Sequence, residues 1–223
     1  MRITVVIPAY NEEKNIGVCL RCILDQKRSA EEIIVVDNNS TDRTAEIARN
    51  FGARVVEERL KGIAHARNAG FDAATGDIIA RTDADSCVPR DWIMRIENNF
   101  ADSSIDAVSG PGILDNHRWT LIPFRFYTWI FVLLSGGVSP MVGPNMAIRR
   151  DAWHRIRKEV CLHDRDMHED LDLALHLHRS GACVCYHPQL QVNTSGRRAL
   201  HNPCSFFVMY PLRLLKMLHT HRR

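Results

Sequence analysis

The most constraining feature of this 223-residue chain is an alternation repeated through its first hundred residues: a short β-branched run, then a segment with apolar residues at helical spacing. Strands are predicted at Ile3–Ile7, Ile33–Val36, Arg54–Val56 and Ile78–Thr82. Between them, Asn15–Leu24 places Ile16, Leu20, Ile23 and Leu24 on one helical face, Thr44–Phe51 is stopped by Gly52, and Ile63–Ala74 is ended by Gly76. Pro89 opens a fourth helix carrying Trp92, Ile93, Ile96 and Phe100. Such alternation implies an α/β fold with a mainly parallel sheet and right-handed crossovers. Sheets of this kind bind ligands beyond the C-terminal ends of their strands. Three polar clusters fall there: Pro8–Glu13, Asp37–Asp42 and Asp83–Asp85.

The second half is less regular. It offers a helix over Leu121–Leu134, a Gly/Pro-rich loop over Gly136–Asn145, strands at Ala147–Arg149, Ala182–Tyr186 and Leu190–Val192, and a strong helix from about Asp170 to Ser180. From Val192 to Arg223 there are six Arg and Lys and no acidic residue, although the whole chain is only +3. That net charge is too small for a nucleic-acid binder, and the basic tail suits an anionic surface or a phosphorylated ligand. After Pro211, Leu212, Leu214, Leu215 and Leu218 lie on one arc and Arg213, Lys216 and His219 on the other, a pattern that suits a membrane interface or docking on the protein's own core. Trp119–Leu134 is the most apolar stretch, but it is short of the roughly 20 residues a bilayer span needs. Seven cysteines without disulfide-like spacing favour a reducing, cytoplasmic setting. Cys19 and Cys22 are expected to pack in the core, and no signal peptide is legible at the N-terminus.

Asp83-Ala84-Asp85 presents two carboxylates at a strand end, and their hard oxygens suit Mg²⁺ or Mn²⁺. Asp164–Asp166 and Asp170–Asp172 share the spacing, but only the first pair follows an apolar strand. Taken alone it is as compatible with a solvated turn. Asp37 can accept a hydrogen bond from a base or ribose, or cap the helix that follows it. Lys61, Arg67 and Asn68 precede the fourth strand, where a basic group can meet a diphosphate. On the strong helix, Asp170 falls inside the arc of Leu171, Leu173, Ala174, Leu175 and Leu177, whereas Glu169, Asp172, His176 and Arg179 fall on an expected solvent face. A carboxylate on the buried side needs a task or a partner, which makes Asp170 the candidate base. The eleven histidines match no familiar zinc spacing.

Together these segments resemble family 2 glycosyltransferases of the GT-A fold. The resemblance is carried by Val5-Val6-Ile7-Pro8-Ala9-Tyr10-Asn11-Glu12-Glu13, Ile34-Val35-Val36-Asp37 through Asp42, Gly62 through Arg67-Asn68-Ala69-Gly70, Thr82-Asp83-Ala84-Asp85, Gly143-Pro144-Asn145-Met146-Ala147 and Glu169-Asp170. It implies one GT-A-like domain over residues 1–223, with a nucleotide-sugar-binding half (1–110), an acceptor and catalytic half (111–195) and a basic tail (196–223). It implies that Pro8, Ala9, Tyr10, Glu12, Asp37, Arg67, Asp83, Asn145 and Arg197 bind the nucleotide sugar, with Arg198 beside Arg197. Asp85 and Asp83 would hold a Mg or Mn ion, and Asp170 would be the base of an inverting transfer. The donor would be a UDP- or GDP-linked sugar. The acceptor would be a glycan or a lipid-linked species, including a polyprenyl phosphate, with contact to the inner face of a membrane.

Two other classes are weighed. A sugar-phosphate nucleotidyltransferase would need a Gly-rich basic loop after the first strand, where this chain has Pro8-Ala9-Tyr10-Asn11-Glu12. A non-catalytic nucleotide-sugar binding module would have no use for both the Asp83/Asp85 pair and Asp170.

Overall fold

The computed structural model describes residues 1–162, 167–197 and 210–221. Four strands, β1 (Ile3–Ala9), β2 (Glu32–Asp37), β3 (Arg54–Glu57) and β4 (Ile78–Arg81), alternate with α1 (Ile16–Leu24), α2 (Thr44–Asn50), α3 (Ile63–Ala73) and α4 (Trp92–Asn99). Then come β5 (Ala107–Ser109), β6 (Gly112–Leu114), a 3₁₀ turn (Arg118–Thr120), α5 (Leu121–Leu134), β7 (Met146–Arg149) and α6 (Arg150–Ile156). The chain continues through α7 (Glu169–Arg179), β8 (Val184–Tyr186), β9 (Val192–Thr194) and α8 (Tyr210–His221).

Seven strands form one sheet in the order β3-β2-β1-β4-β7-β5-β8, and β6 pairs with β9 in a separate ribbon. The expected parallel pairing holds for β1 with β2 and β4, and for β2 with β3. β7 runs antiparallel to both β4 and β5, so the sheet is mixed. Every residue of β1 is buried, because both faces of the sheet are covered. Its side chains alternate between two cores. Val6 joins Phe71, Trp153, Leu173 and Leu177 on one side, while Ile3, Val5 and Ile7 join Ile16, Leu20 and Trp92 on the other. At Gly70 α3 lies tight against the sheet; a Cβ there would stand 2.3 Å from Val6 and 2.8 Å from Val36.

The expected strand at Leu190–Val192 begins two residues later, because Leu190 closes a turn onto His187. The tail helix docks on the protein, with Leu214, Met217 and Leu218 in the core and Leu212 and Leu215 exposed. Its arc of leucines is therefore split between two environments.

Candidate functional site

The turns after β1 and β2 are bound to each other. Ala9 pairs with Asp37 across the two strands. Beyond them Asn11 and Asn39 take left-handed backbone (φ 52° and 64°), which a short polar side chain tolerates. The Asn11 amide donates to Ser40 Oγ (3.0 Å), Thr41 N donates to Asn11 Oδ1 (2.8 Å) and Glu12 N donates to Thr44 Oγ1 (2.8 Å). Asp37 Oδ1 accepts from Ser40 N at 3.2 Å, closing its own turn. Lys61 covers the exposed ring of Tyr10, with Nζ 4.1 Å from the ring centroid and 2.7 Å from Oη. Lys61 thus ties the loop before α3 to the turn after β1.

The end of β4 meets the start of α7 through buried charge. Arg81 donates through Nη1 to Glu169 Oε1 (2.5 Å) and through Nη2 to Asp83 Oδ1 (3.2 Å). Arg67, on α3, donates through Nη1 to Glu169 Oε2 at 2.7 Å. Both guanidinium side chains are at most 2% exposed. Burial pushes the Glu169 carboxyl upward in pKa, but Arg81 and Arg67 outweigh it and hold the group below its ordinary value. The neighbouring Asp170 goes the other way: burial, then the Glu169 charge, raise its pKa. Asp170 Oδ2 accepts from Gly143 N at 3.1 Å, which aims the carboxyl at the loop before β7. Two adjacent carboxyls are therefore pushed apart in proton affinity, one a fixed anion and the other a better base.

A second cation gathers the remaining acids. Arg197 Nη2 lies 2.7 Å from Glu12 Oε1 and 3.0 Å from Asp85 Oδ2. Thr194, on β9, reaches Asp85 Oδ1 at 3.5 Å. Cys19 lies beneath this cluster, its thiol 3.4 Å from the Asp83 carbonyl. Burial first, then the negative charges of Asp83, Asp85 and Glu12, push the Cys19 pKa far up. A group of hard oxygen donors already converging on a positive charge fits a divalent ion such as Mg²⁺ or Mn²⁺. Asp85 and Asp83 are the residues that would hold it.

The residue pattern of "Glycosyl transferase family 2" matches residues 4–157. The chain belongs to that family. A curated relative, the glycosyltransferase AglE of Haloferax volcanii, is 35% identical over 116 residues, 48% of this chain and 38% of AglE. The chain therefore spans well under half of that relative's length. Among solved structures, the mannosyltransferase PcManGT of Pyrobaculum calidifontis, in complex with GDP-Man and Mn²⁺, superposes with a TM-score of 0.72 at 26% identity. The match covers 99% of this chain and 68% of PcManGT. Glucosyl-3-phosphoglycerate synthase of Mycobacterium tuberculosis shares the fold, with a TM-score of 0.69 at 21% identity over 97% of this chain and 78% of the synthase. The fold is thus GT-A, as the sequence resemblance implied.

Within this family 2 chain, several residues stand elsewhere than expected. Asn145 is wholly buried: Oδ1 accepts from Trp92 Nε1 (2.9 Å) and Nδ2 donates to the carbonyls of Pro111 and Leu190. Every polar atom of its side chain is used inside the protein, so it holds β7 in place rather than facing a donor. Arg67 is likewise buried against Glu169, with only Nη2 unpartnered, instead of presenting an open guanidinium to the crevice. The expected solvent face of α7 is corrected at three of its four residues, while Arg179 is exposed as expected. Glu169 is paired with the two arginines, Asp172 has no exposed surface and His176 is 7% exposed. The Cys161 loop and α8 cover that face, a tertiary contact invisible to helical periodicity.

The cysteine reading is corrected as well. Cys22 and Cys87 form a disulfide between the last turn of α1 and the loop after β4. At a sequence separation of 65, no local spacing announces it. The argument for a reducing compartment falls with it, whereas Cys19 packs in the core as expected. Arg198 and the Asp164–Asp166 pair lie outside the described residues. Arg81 escaped the sequence reading, although a lone charge inside the run Ile78–Thr82 was its signal.

Proposed function

We propose that this chain is a metal-dependent inverting glycosyltransferase that moves a sugar from a UDP- or GDP-linked donor to an acceptor hydroxyl. The observation that carries the reading is the gathering of Glu12, Asp83, Asp85, Glu169 and Asp170 around Arg81 and Arg197 at the ends of β1, β4 and α7. The nucleoside would lie over the turn of Pro8, Ala9 and Tyr10, with Asp37 toward the base. A divalent ion held by Asp85 and Asp83 would neutralise charge on the diphosphate.

Asp170 takes the proton of the acceptor hydroxyl. As that oxygen bonds to the anomeric carbon, the bond from carbon to the diphosphate oxygen breaks and its electron pair leaves with the diphosphate. Gly143 N–H fixes Asp170 Oδ2, and Glu169 anchors the first turn of α7 through two arginines. Arg197, paired with Glu12 and Asp85, would turn toward the leaving phosphates.

A lipid-linked acceptor at a membrane surface is supported by α5. Ile122, Phe126, Trp129 and Leu133 are each at least 58% exposed along one side of that helix, with Trp119 before it. Among the described residues no helix is long and apolar enough to cross a membrane.

Purified protein incubated with UDP- and GDP-linked sugars and Mn²⁺ tests the enzyme. Release of nucleotide diphosphate is expected with one donor, is lost in Asp170→Asn, and its absence across the whole panel would refute the reading. Co-sedimentation with vesicles of anionic lipid tests the surface, where no difference between wild type and Trp129→Ser would remove it.

A further inference from the structure

Behind the base helix lies a second cluster of ligating side chains. Asp172 and His176 stand one turn apart on α7, Cys161 comes from the loop after α6, and His221 from α8. One ligand atom from each lies within 4.8 Å of all the others. Asp172 Oδ1 is 2.7 Å from His221 Nε2 and 3.5 Å from His176 Nε2. His176 is 93% buried, yet Nδ1 makes no hydrogen bond and Nε2 has only the long 3.5 Å approach to Asp172 Oδ1. A buried ring whose nitrogens are so poorly satisfied is costly unless something fills the space they face.

We propose that Cys161, Asp172, His176 and His221 bind one zinc ion, which clips α8 to α7. Thiolate, imidazole and carboxylate are the zinc ligand set, and four of them complete a closed, structural site. Tetrahedral zinc sets ligand atoms about 3.3–3.8 Å apart, so the widest pairs here close by about an ångström and the contact between Asp172 and His221 opens. The charges suit burial: a thiolate and a carboxylate cancel the dication, and both imidazoles bind neutral. His176 would coordinate through Nε2, leaving Nδ1–H toward Glu159, 3.7 Å away, as an outer carboxylate. His221 would coordinate through Nε2 and carry its proton on Nδ1, so Arg179 gives up its 2.9 Å contact there and keeps the His221 carbonyl. Without metal, Cys161 is held as the thiol, since burial and then Asp172 push its pKa up to about 11; zinc binding releases that proton. This site is separate from Asp83 and Asp85, and its hard-soft character differs from theirs.

The full chain, expressed with zinc and desalted, should retain one zinc per molecule by elemental mass spectrometry. Asp85→Ala should retain it, and His176→Ala and Cys161→Ser should lose it. Protein stripped of metal should take up Co²⁺ with the intense visible bands of tetrahedral cobalt and a thiolate charge-transfer band that is missing in Cys161→Ser. Zn²⁺ at a hundredfold excess over Kd should raise the Tm of stripped protein by roughly 5–10 °C. Equal zinc retention by wild type and Cys161→Ser, or a weak octahedral cobalt spectrum, overturns the proposal. Cys161→Ser fills nearly the same space, so the comparison stands even if His176→Ala fails to fold.

Discussion

Replacing Glu169 by Gln should destabilise the protein by about 3 kcal/mol at pH 7, from the low end of what losing one partner of a buried ion pair costs. The carboxylate stands between Arg67 and Arg81, whose side chains are 0% and 2% exposed. Its loss leaves two guanidinium charges in a dry environment. The cost stays at the low end because Arg81 keeps Asp83 at 3.2 Å, Arg67 keeps Asn68 at 3.0 Å, and the new amide oxygen can still accept one bond. For a chain of this length, about 3 kcal/mol lowers Tm by roughly 6–12 °C. Urea denaturation of wild type and Glu169→Gln measures it, with Asp25→Asn as the control. That variant breaks the surface pair with Arg90, whose partners are 71% and 63% exposed, and should cost under about 0.5 kcal/mol. The folded pKa of Glu169 lies below 4.5, so its stabilisation is present above that pH and is lost as pH falls through the depressed value. The gap between wild type and variant should therefore close in acid. A cost under about 1 kcal/mol, indistinguishable from Asp25→Asn, would refute the claim that this carboxylate neutralises the buried pair.

Asp170→Asn should keep donor affinity and lose transfer by at least two orders of magnitude, as titration calorimetry and a coupled nucleotide-release assay would read. The acid limb of kcat/KM should lie above the ordinary aspartate value of 3.8, and part of that rise should vanish in Glu169→Gln, where the neighbouring charge is gone. Asp85→Ala should weaken Mn²⁺-dependent donor binding, and equal calorimetric titrations with and without Mn²⁺ in wild type would count against it. Arg197→Gln should bind Mn²⁺ alone more tightly and donor with Mn²⁺ more weakly, a crossing of signs that two titrations detect. Reducing the Cys22–Cys87 bond, which closes a loop of 65 residues, should cost about 2–4 kcal/mol by urea midpoint.

The parallel half of the sheet was legible because each of its strands is a β-branched run followed by turn residues. β5 and β6 were not, since three residues apiece leave no room for a period and Gly110-Pro111 separates them. The helix α6 was hidden behind its basic start, although Ala152, Trp153 and Ile156 give it a buried face. At the site, the order of acidic clusters along the chain pointed to the ends of β4 and α7, which Arg81 joins through Asp83 and Glu169. Sequence could not decide which polar residues turn inward. Asn145 reads like a ligand-facing loop residue and is a buried brace; Glu169 reads like a surface acid and is enclosed by arginines. Those outcomes depend on partners 53 to 102 residues away, a distance over which no local pattern carries information.

A guanidinium seated between Glu12 and Asp85 has a consequence for the order of events. On the proposed reading, an ion arriving by itself would have to break both of these pairs. Were the ion to come with a diphosphate, the displaced arm would gain a new anionic partner in the same movement. Occupancy by both together would thereby be favoured over either one singly.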